Sequence, residues 1–466
     1  MQKNQSTSLL LNGKIVSTMI SLSLPAIIGM VVIGLYNFMD AVFVGQMIGP
    51  LAMTAVKVSY PFTLINSGIA TLIGVGSASV LSIAIGKQDK ETVDNIMGNL
   101  TAAILILSLI VTAAGIIFAR QLLILSGAEG EVLEEGVKYL RIIFVGSLFV
   151  NFAQSSNMVM RGQGILAKAM LVMGLGAVLN IILDPILISF MNKTNEGIKG
   201  AAYATLISQI VQAVIMLVYY LKGSDVKINS VGIKGKILKQ VLGIGVSAML
   251  MQVMSMLQQT LMYKIAAKYG GEEWQTILGA SLSLQAFSFI PLWGISQGFQ
   301  PAIGTNYGAR NYARVKQFTK AFMIGATILA LVFYIPIMCF PSAMLSFFIT
   351  DEATVRLGAP MLRLFFSPFI AYGIMILSIT FFQATGKGTM AAVLAVARQC
   401  LVFIPLLFIL SYFFGIKGEF LAGVVTDTIV LIVALVVVMA SLKKLGKKEV
   451  VSCRTENKIE KKSNAV

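Results

Sequence analysis

The sequence predicts an all-α integral membrane protein: twelve transmembrane helices in two six-helix lobes, related by a pseudo-two-fold axis along the membrane normal. Three observations carry that reading. Of 466 residues, 57% are hydrophobic and only 12% are charged, whereas a soluble domain carries about 25% charged residues. The apolar residues form long continuous runs, as spanning helices require, rather than the alternating segments of about ten residues that build a membrane barrel. Finally, the chain matches itself at a shift of 222 residues.

Taken in order, the apolar runs lie near 15–43, 51–85, 96–119, 132–159, 165–190, 198–221, 237–267, 275–307, 317–341, 354–383, 389–412 and 418–441. The first run is too long for a signal peptide and has no small-residue cleavage site, so the N-terminus is expected to be retained. It contains Pro25, which cannot donate to the carbonyl of Ser21 and should kink the helix. That kink is a candidate hinge, although static proline kinks are common in membrane helices. Residues 1–221 form the expected N-lobe with its six spans, and 237–441 the C-lobe. The basic, glycine-containing stretch 222–236 reads as a cytoplasmic linker. The polar tail 442–466 is expected to be disordered and to lie near anionic headgroups.

Charge fixes orientation. Placing the N-terminus inside puts roughly 24 of the 36 Lys and Arg residues in cytoplasmic segments, among them Lys87, Lys90, Lys234, Arg310 and Arg314. Both termini are then cytoplasmic, in the plasma membrane. The formal charge of +16 is thus a topology signal in short loops and not a nucleic-acid surface. There is no histidine, which removes the commonest metal ligand and general base. Cys339, Cys400 and Cys453 match no metal or redox spacing.

The shift of 222 places Gly49 on Gly271, Gly76 on Gly298, Gly86 on Gly308, Leu140-Arg141 on Leu362-Arg363 and Gly164 on Gly386. After a small deletion, Gly197-Ile198-Lys199-Gly200 returns as Gly415-Ile416-Lys417-Gly418. A single shift holding over such a length implies duplication. With six spans each, both halves enter the membrane from the same side, which implies a substrate path between them.

Within these spans the acids are informative. Asn180 and Asp184 are four apart, on one helix face, and Pro185 frees the carbonyl of Ile181 at the same depth. An aspartate at the centre of a membrane helix costs about 2.5–3.5 kcal/mol on insertion scales, so it faces a cavity, a partner or an ion path. A buried polar patch that fixes helix packing is the plainer reading. Asp40, with Tyr36 and Asn37 on its face, lies nearer a helix end and has an interfacial acid as its plain alternative. The repeat sets Met262 opposite Asp40 and Leu406 opposite Asp184, so neither carboxylate is duplicated. That asymmetry favours an ion or proton site in the first half. Asp427, whose approximate counterpart is Gln209, reads equally as structural or functional. Lys57, Arg141 and Arg363 read as snorkelling side chains, with Lys264 and Arg398 also in or beside spans.

These residues resemble the multidrug and toxic compound extrusion (MATE) family, most closely its bacterial DinF-like branch, over about residues 10–445. The resemblance rests on Ser23-Leu24-Pro25 leading to Asp40 and Gly45, on Arg161-Gly162-Gln163-Gly164, and on Leu179-Asn180-Ile181-Ile182-Leu183-Asp184-Pro185. It rests also on Gly200-Ala201-Ala202 running into Thr205, and on Gln383-Ala384-Thr385-Gly386. It implies a twelve-helix antiporter exporting drugs, often cationic, in exchange for Na⁺ or H⁺. The resemblance implies no enzymatic activity and no cofactor beyond that ion. By the resemblance, Asp40, Asn180, Asp184 and Thr205 form the coupling-ion cluster, and Tyr36, Asn37 and Asn157 line the neighbouring cavity. Oxygen donors of this kind suit Na⁺ and a proton alike.

The expected protein is therefore a monomeric multidrug efflux antiporter working by alternating access, of a kind associated with antibiotic resistance. Its partners are small toxic organic compounds and the lipid bilayer, with no nucleic acid. A lipid-linked precursor flippase is the nearest alternative and would call for a cationic cavity. A membrane-embedded enzyme would have only the aspartates for its chemistry. A channel would present polar rings from several subunits.

Overall fold

The computed structural model describes residues 2–194 and 196–463, with side-chain surroundings for these apart from 2–5, 37, 38, 41 and 447–463. Among the described residues there is no strand. The first half runs α1 (Gln2–Asn12), α2 (Ile15–Phe43), α3 (Pro50–Lys87), α4 (Lys90–Leu125), α5 (Gly130–Val145), α6 (Ser147–Gly162), α7 (Leu166–Asn192) and α8 (Gly197–Val218). The second runs α9 (Gly235–Gly308), α10 (Tyr312–Cys339), α11 (Pro341–Leu345), α12 (Glu352–Phe366), α13 (Tyr372–Ala384), α14 (Gly388–Val396), α15 (Phe403–Phe414) and α16 (Ile416–Ser463).

Among the described residues, ten helical stretches are long and apolar enough to cross a membrane, and α5 with α6, meeting at 52°, makes an eleventh. The 74-residue α9 would be roughly 110 Å long if straight. It breaks at Gly271, whose φ of 70° is left-handed, and so carries two spans. The sequence put a loop there, between 267 and 275; one glycine makes the break. The bend between α5 and α6 falls at Gly146, where a Cβ would stand 2.9 Å from the Leu206 side chain of α8. The tenth span is interrupted after α12 by Pro368 and a 3₁₀ turn, Phe369–Ala371. A π-turn, Ala397–Leu401, separates α14 from α15. The tail departs from expectation: α16 continues to Ser463, because an already formed span carries the nucleation cost for a Lys- and Glu-rich extension.

Duplication is written into the backbone. Gly49 and Gly271 are both left-handed, as are Gly164 (φ 79°) and Gly386 (φ 77°). Among the described residues, the non-glycine positions at positive φ are Gln88 (59°) and Arg310 (58°), again 222 apart. Such a conformation costs roughly 1–2 kcal/mol for an L-residue, yet both copies keep it. Each is followed by a helix cap: Asp89 accepts from the Thr92 N–H at 3.2 Å, and Asn311 from the Arg314 N–H at 3.3 Å.

Two compact units result. One comprises residues 1–24, 82–88 and 250–466; the other comprises 25–81 and 89–249. The division within α2 falls just before Pro25, which lies inside an otherwise continuous helix. In the first unit, Asn306 Nδ2 and the Arg314 guanidinium donate to the Leu10 carbonyl (2.9 and 3.3 Å), and Arg314 also to that of Gly13 (2.7 Å). These side chains cap the end of α1. In the second unit, residues 224–234 form a strap along the start of α4. Asn229 Nδ2 donates to the Asp94 carbonyl (3.3 Å), the Lys234 N–H donates to Asn99 Oδ1 (2.9 Å), and the Ser230 carbonyl lies over Gly98.

Candidate functional site: a buried carboxyl pair

The site lies in the unit formed by 25–81 and 89–249, where α7 and α8 approach at backbone distance. Gly200 of α8 lies against the Leu187 carbonyl, so that a Cβ there would stand 2.6 Å from the oxygen. One and a half turns along α8, Thr205 then faces Asn180 of α7. With the Asn180 amide turned to satisfy both of its ends, Nδ2 donates to Asp184 Oδ2 at 2.8 Å and Oδ1 accepts from the Thr205 N–H at 3.1 Å. Thr205 Oγ1 lies 3.3 Å from the same amide. Asp184 is 0% exposed, and its Oδ1 meets no donor among the described residues.

From α2, the half-buried Asp40 brings its carboxyl within hydrogen-bonding reach of Asp184. Tyr36, one turn earlier, brings its hydroxyl towards Thr205. Tyr139 of α5 lies within the field of both carboxyls; the sequence reading did not single it out. Its one available signal was a tyrosine where the repeat has Met361.

One turn from these polar atoms is an apolar cluster that includes Val44, Ile188, Ala201 and Ile198. Val44 follows Asp40 by four, Ile188 follows Asp184 by four, and Ala201 precedes Thr205 by four, so the three helices close the same side together. Asn157 is buried on α6, where its Nδ2 donates to the Ala169 carbonyl at 2.6 Å and its Oδ1 has no partner among the described residues. The side chain of Asn37 lies outside the described residues. Pro25 is fifteen residues before Asp40, about 22 Å along the helix. Among the described residues, no group of three or more Asp, Glu, Cys or His side chains could hold a metal ion.

The other unit holds a second polar constellation, whose members the sequence presented separately. Arg398 Nε donates to Asp427 Oδ1 at 2.7 Å, and the Tyr372 hydroxyl donates to Asp427 Oδ2. Glu419, not singled out in the sequence, is fully buried in the first turn of α16, and neither carboxyl oxygen has a partner among the described residues.

The MatE family model matches residues 25–186 and 247–409. The multidrug export protein MepA of Staphylococcus aureus is 28% identical over 425 residues, covering 90% of this chain and 92% of that protein. A multidrug resistance MATE family transporter of the MOP superfamily, solved in an outward-facing conformation, superposes with a TM-score of 0.88 at 25% identity. That match covers 95% of this chain and 98% of the other. A MATE transporter solved in bent and in straight conformations matches with the same score, at 26% and 25% identity, over 95% of this chain and 99% of the other. With a family model spanning most of its length and relatives aligned nearly end to end, the chain belongs to the MATE family of multi-pass membrane transporters and is not an enzyme.

Proposed function

We propose that the protein exports multiple small organic compounds, mainly amphipathic cations, in exchange for a cation that enters at the Asp40–Asp184 pair. The observation that carries this is the meeting of two carboxyls in a buried site where Asp184 Oδ1 has no donor. Two carboxylates so placed repel unless a cation joins them, and a proton shared between the oxygens meets that need at no cost in space. H⁺ is therefore the first reading. Na⁺ is the second, favoured by the hydroxyl oxygens of Thr205 and Tyr36 beside the pair. Entry of one charge is worth about 2.3 kcal/mol per 100 mV, enough for roughly a 50-fold gradient of a neutral compound.

In this reading, residues 1–221 and 237–441 act as the two lobes of an alternating-access monomer with cytoplasmic termini, and Pro25 is the hinge of α2. A related MATE transporter is recorded in a bent and in a straight conformation, which supports bending within this fold without naming the element that bends. Tyr36, Asn37 and Asn157 are proposed to line the substrate cavity. The test is ethidium efflux from vesicles containing wild type or Asp184→Asn, with Na⁺ and pH gradients imposed separately. Efflux driven by one gradient and lost in the variant is expected. Undiminished efflux in the variant would reduce Asp184 to a packing role. Absence of gradient-driven efflux for ethidium and a panel of other cations would remove the multidrug reading.

A further inference from the structure

The Arg398–Asp427 pair has the construction of an occupied binding site. Three rings, Phe289, Phe369 and Tyr372, pack with centroids 5.1 to 5.9 Å apart. The Arg398 guanidinium lies 4.9 Å from the Tyr372 centroid and 5.9 Å from that of Phe289. Asp427 faces it, held on its other oxygen by the Tyr372 hydroxyl, which accepts from Gln285 Nε2 at 3.3 Å. Aromatic faces plus one carboxylate are what recognises a delocalised or alkylated cation. A structural ion pair needs none of the rings, and a buried pair is by itself weak evidence for stability.

Two further observations point the same way. Arg398 sits on the π-turn Ala397–Leu401, an extra-residue distortion of the kind that gathers at functional positions. Its side chain is 18% exposed against 8% for Asp427, so the guanidinium has an edge through which to leave while the carboxylate stays. The constellation has no architectural copy, since the repeat has Gly176, Gln209 and Val150 where the second half has Arg398, Asp427 and Tyr372.

We propose that Phe289, Tyr372 and Asp427 form an organic-cation cage that Arg398 fills as a built-in stand-in. A substrate carrying an amidinium, quaternary ammonium or phosphonium group takes the guanidinium's place, and Arg398 moves off on its π-turn. Charge in the cage is unchanged by the exchange, so a cation enters without leaving a carboxylate bare. A neutral analogue of the same shape has nothing to exchange. This deepens the cation-export reading above and rests on it for its biological meaning, but binding can be tested without transport.

The experiment is thermal melting of the purified full-length protein in detergent, titrated with methylguanidinium and with its neutral isostere methylurea. Wild type should respond saturably but at least tenfold more weakly than Arg398→Ala, because methylguanidinium must displace the resident guanidinium. A wild type that never responds would overturn the exchange. Arg398→Ala should be stabilised saturably by methylguanidinium, at least tenfold more tightly than by methylurea, and Arg398→Ala/Asp427→Asn should lose the response. Arg398→Gln serves if the alanine variant does not fold. An absent saturable shift, an equal shift with methylurea, or a shift that survives loss of Asp427 would overturn the cage. Wild-type ethidium efflux separates the failures: efflux with an unresponsive cage removes this inference alone. A responsive cage without efflux of any tested cation removes the export reading and leaves the cage.

Discussion

Replacing Gly200 by alanine perturbs the site through packing, without touching a polar group. The new Cβ would stand 2.6 Å from the Leu187 carbonyl oxygen. A relaxed carbon–oxygen contact is about 3.4 Å, so α8 must retreat from α7 by about 0.8 Å. The Asn180 amide accepts from the Thr205 N–H at 3.1 Å, and that retreat carries it beyond hydrogen-bonding range. Overpacking of this kind costs about 1–3 kcal/mol in stability. A neutral hydrogen bond of this kind is worth about 0.5–1.5 kcal/mol, so the coupling ion should bind about 2- to 10-fold more weakly. The assay is ethidium efflux in proteoliposomes as a function of coupling-ion concentration, with melting temperature measured on the same preparation. Gly174→Ala on α7 is the control, because its Cβ would meet nothing within 4 Å. A Gly200→Ala protein with wild-type half-saturation would refute the idea that backbone contact between α7 and α8 sets the site.

Other expectations follow from features away from the carboxyl pair. Glu419→Met should raise the melting temperature, because it removes two buried oxygens without partners and restores apolar volume, a gain of about 1–3 kcal/mol. A lower melting temperature would mean that the carboxyl is held by something the packing does not supply. Asp351, outside the spans, accepts from the Thr354 hydroxyl at 2.7 Å and its N–H at 2.8 Å, which holds its carboxyl below the usual range. Its stabilisation is therefore present above the unfolded value of about 3.9 and disappears as pH falls through the lower folded value. Asp351→Ala should melt lower than wild type at neutral pH, and the gap should close below about pH 4. Gly98→Val would drive a side chain into the Ser230 carbonyl. Limited proteolysis within 224–234 should then be at least tenfold faster; an unchanged rate would argue against a strap fixed at that point.

The spans were legible because burial in hydrocarbon demands unbroken apolar runs, a signal that survives without knowledge of neighbours. The juxtaposition of Asn180 with Asp184 was legible for a similar reason: both lie on one helix, four residues apart. Tyr139 was not, since nothing in its own segment tells which neighbour α5 turns that residue toward. Nor could the pairing of Arg398 with Asp427 be read, because it joins a π-turn to another helix and a one-residue change of phase rotates every face after it. Glu419 hid beside the duplicated Gly415-Ile416-Lys417-Gly418, where a charged residue near a helix start looks interfacial. The break at Gly271 was too short to distinguish from a loop, and the helical tail depended on what preceded it. In each case the missing information was the position of a second element.

The division of the chain into compact units does not follow its division into repeats. Residues 1–24 open the first repeat yet belong to the unit built mainly from the second, and residues 235–249 open the second repeat yet belong to the unit built mainly from the first. The exchange is reciprocal, and its two borders, before Pro25 and before Leu250, are 225 residues apart, close to the repeat spacing. A half-length ancestor packed in this way would have been a pair trading opening segments. The same holds for genes cut today at the strap. Either fragment expressed alone lacks the segment that the other supplies, and the two should accumulate as folded protein only when made in the same cell.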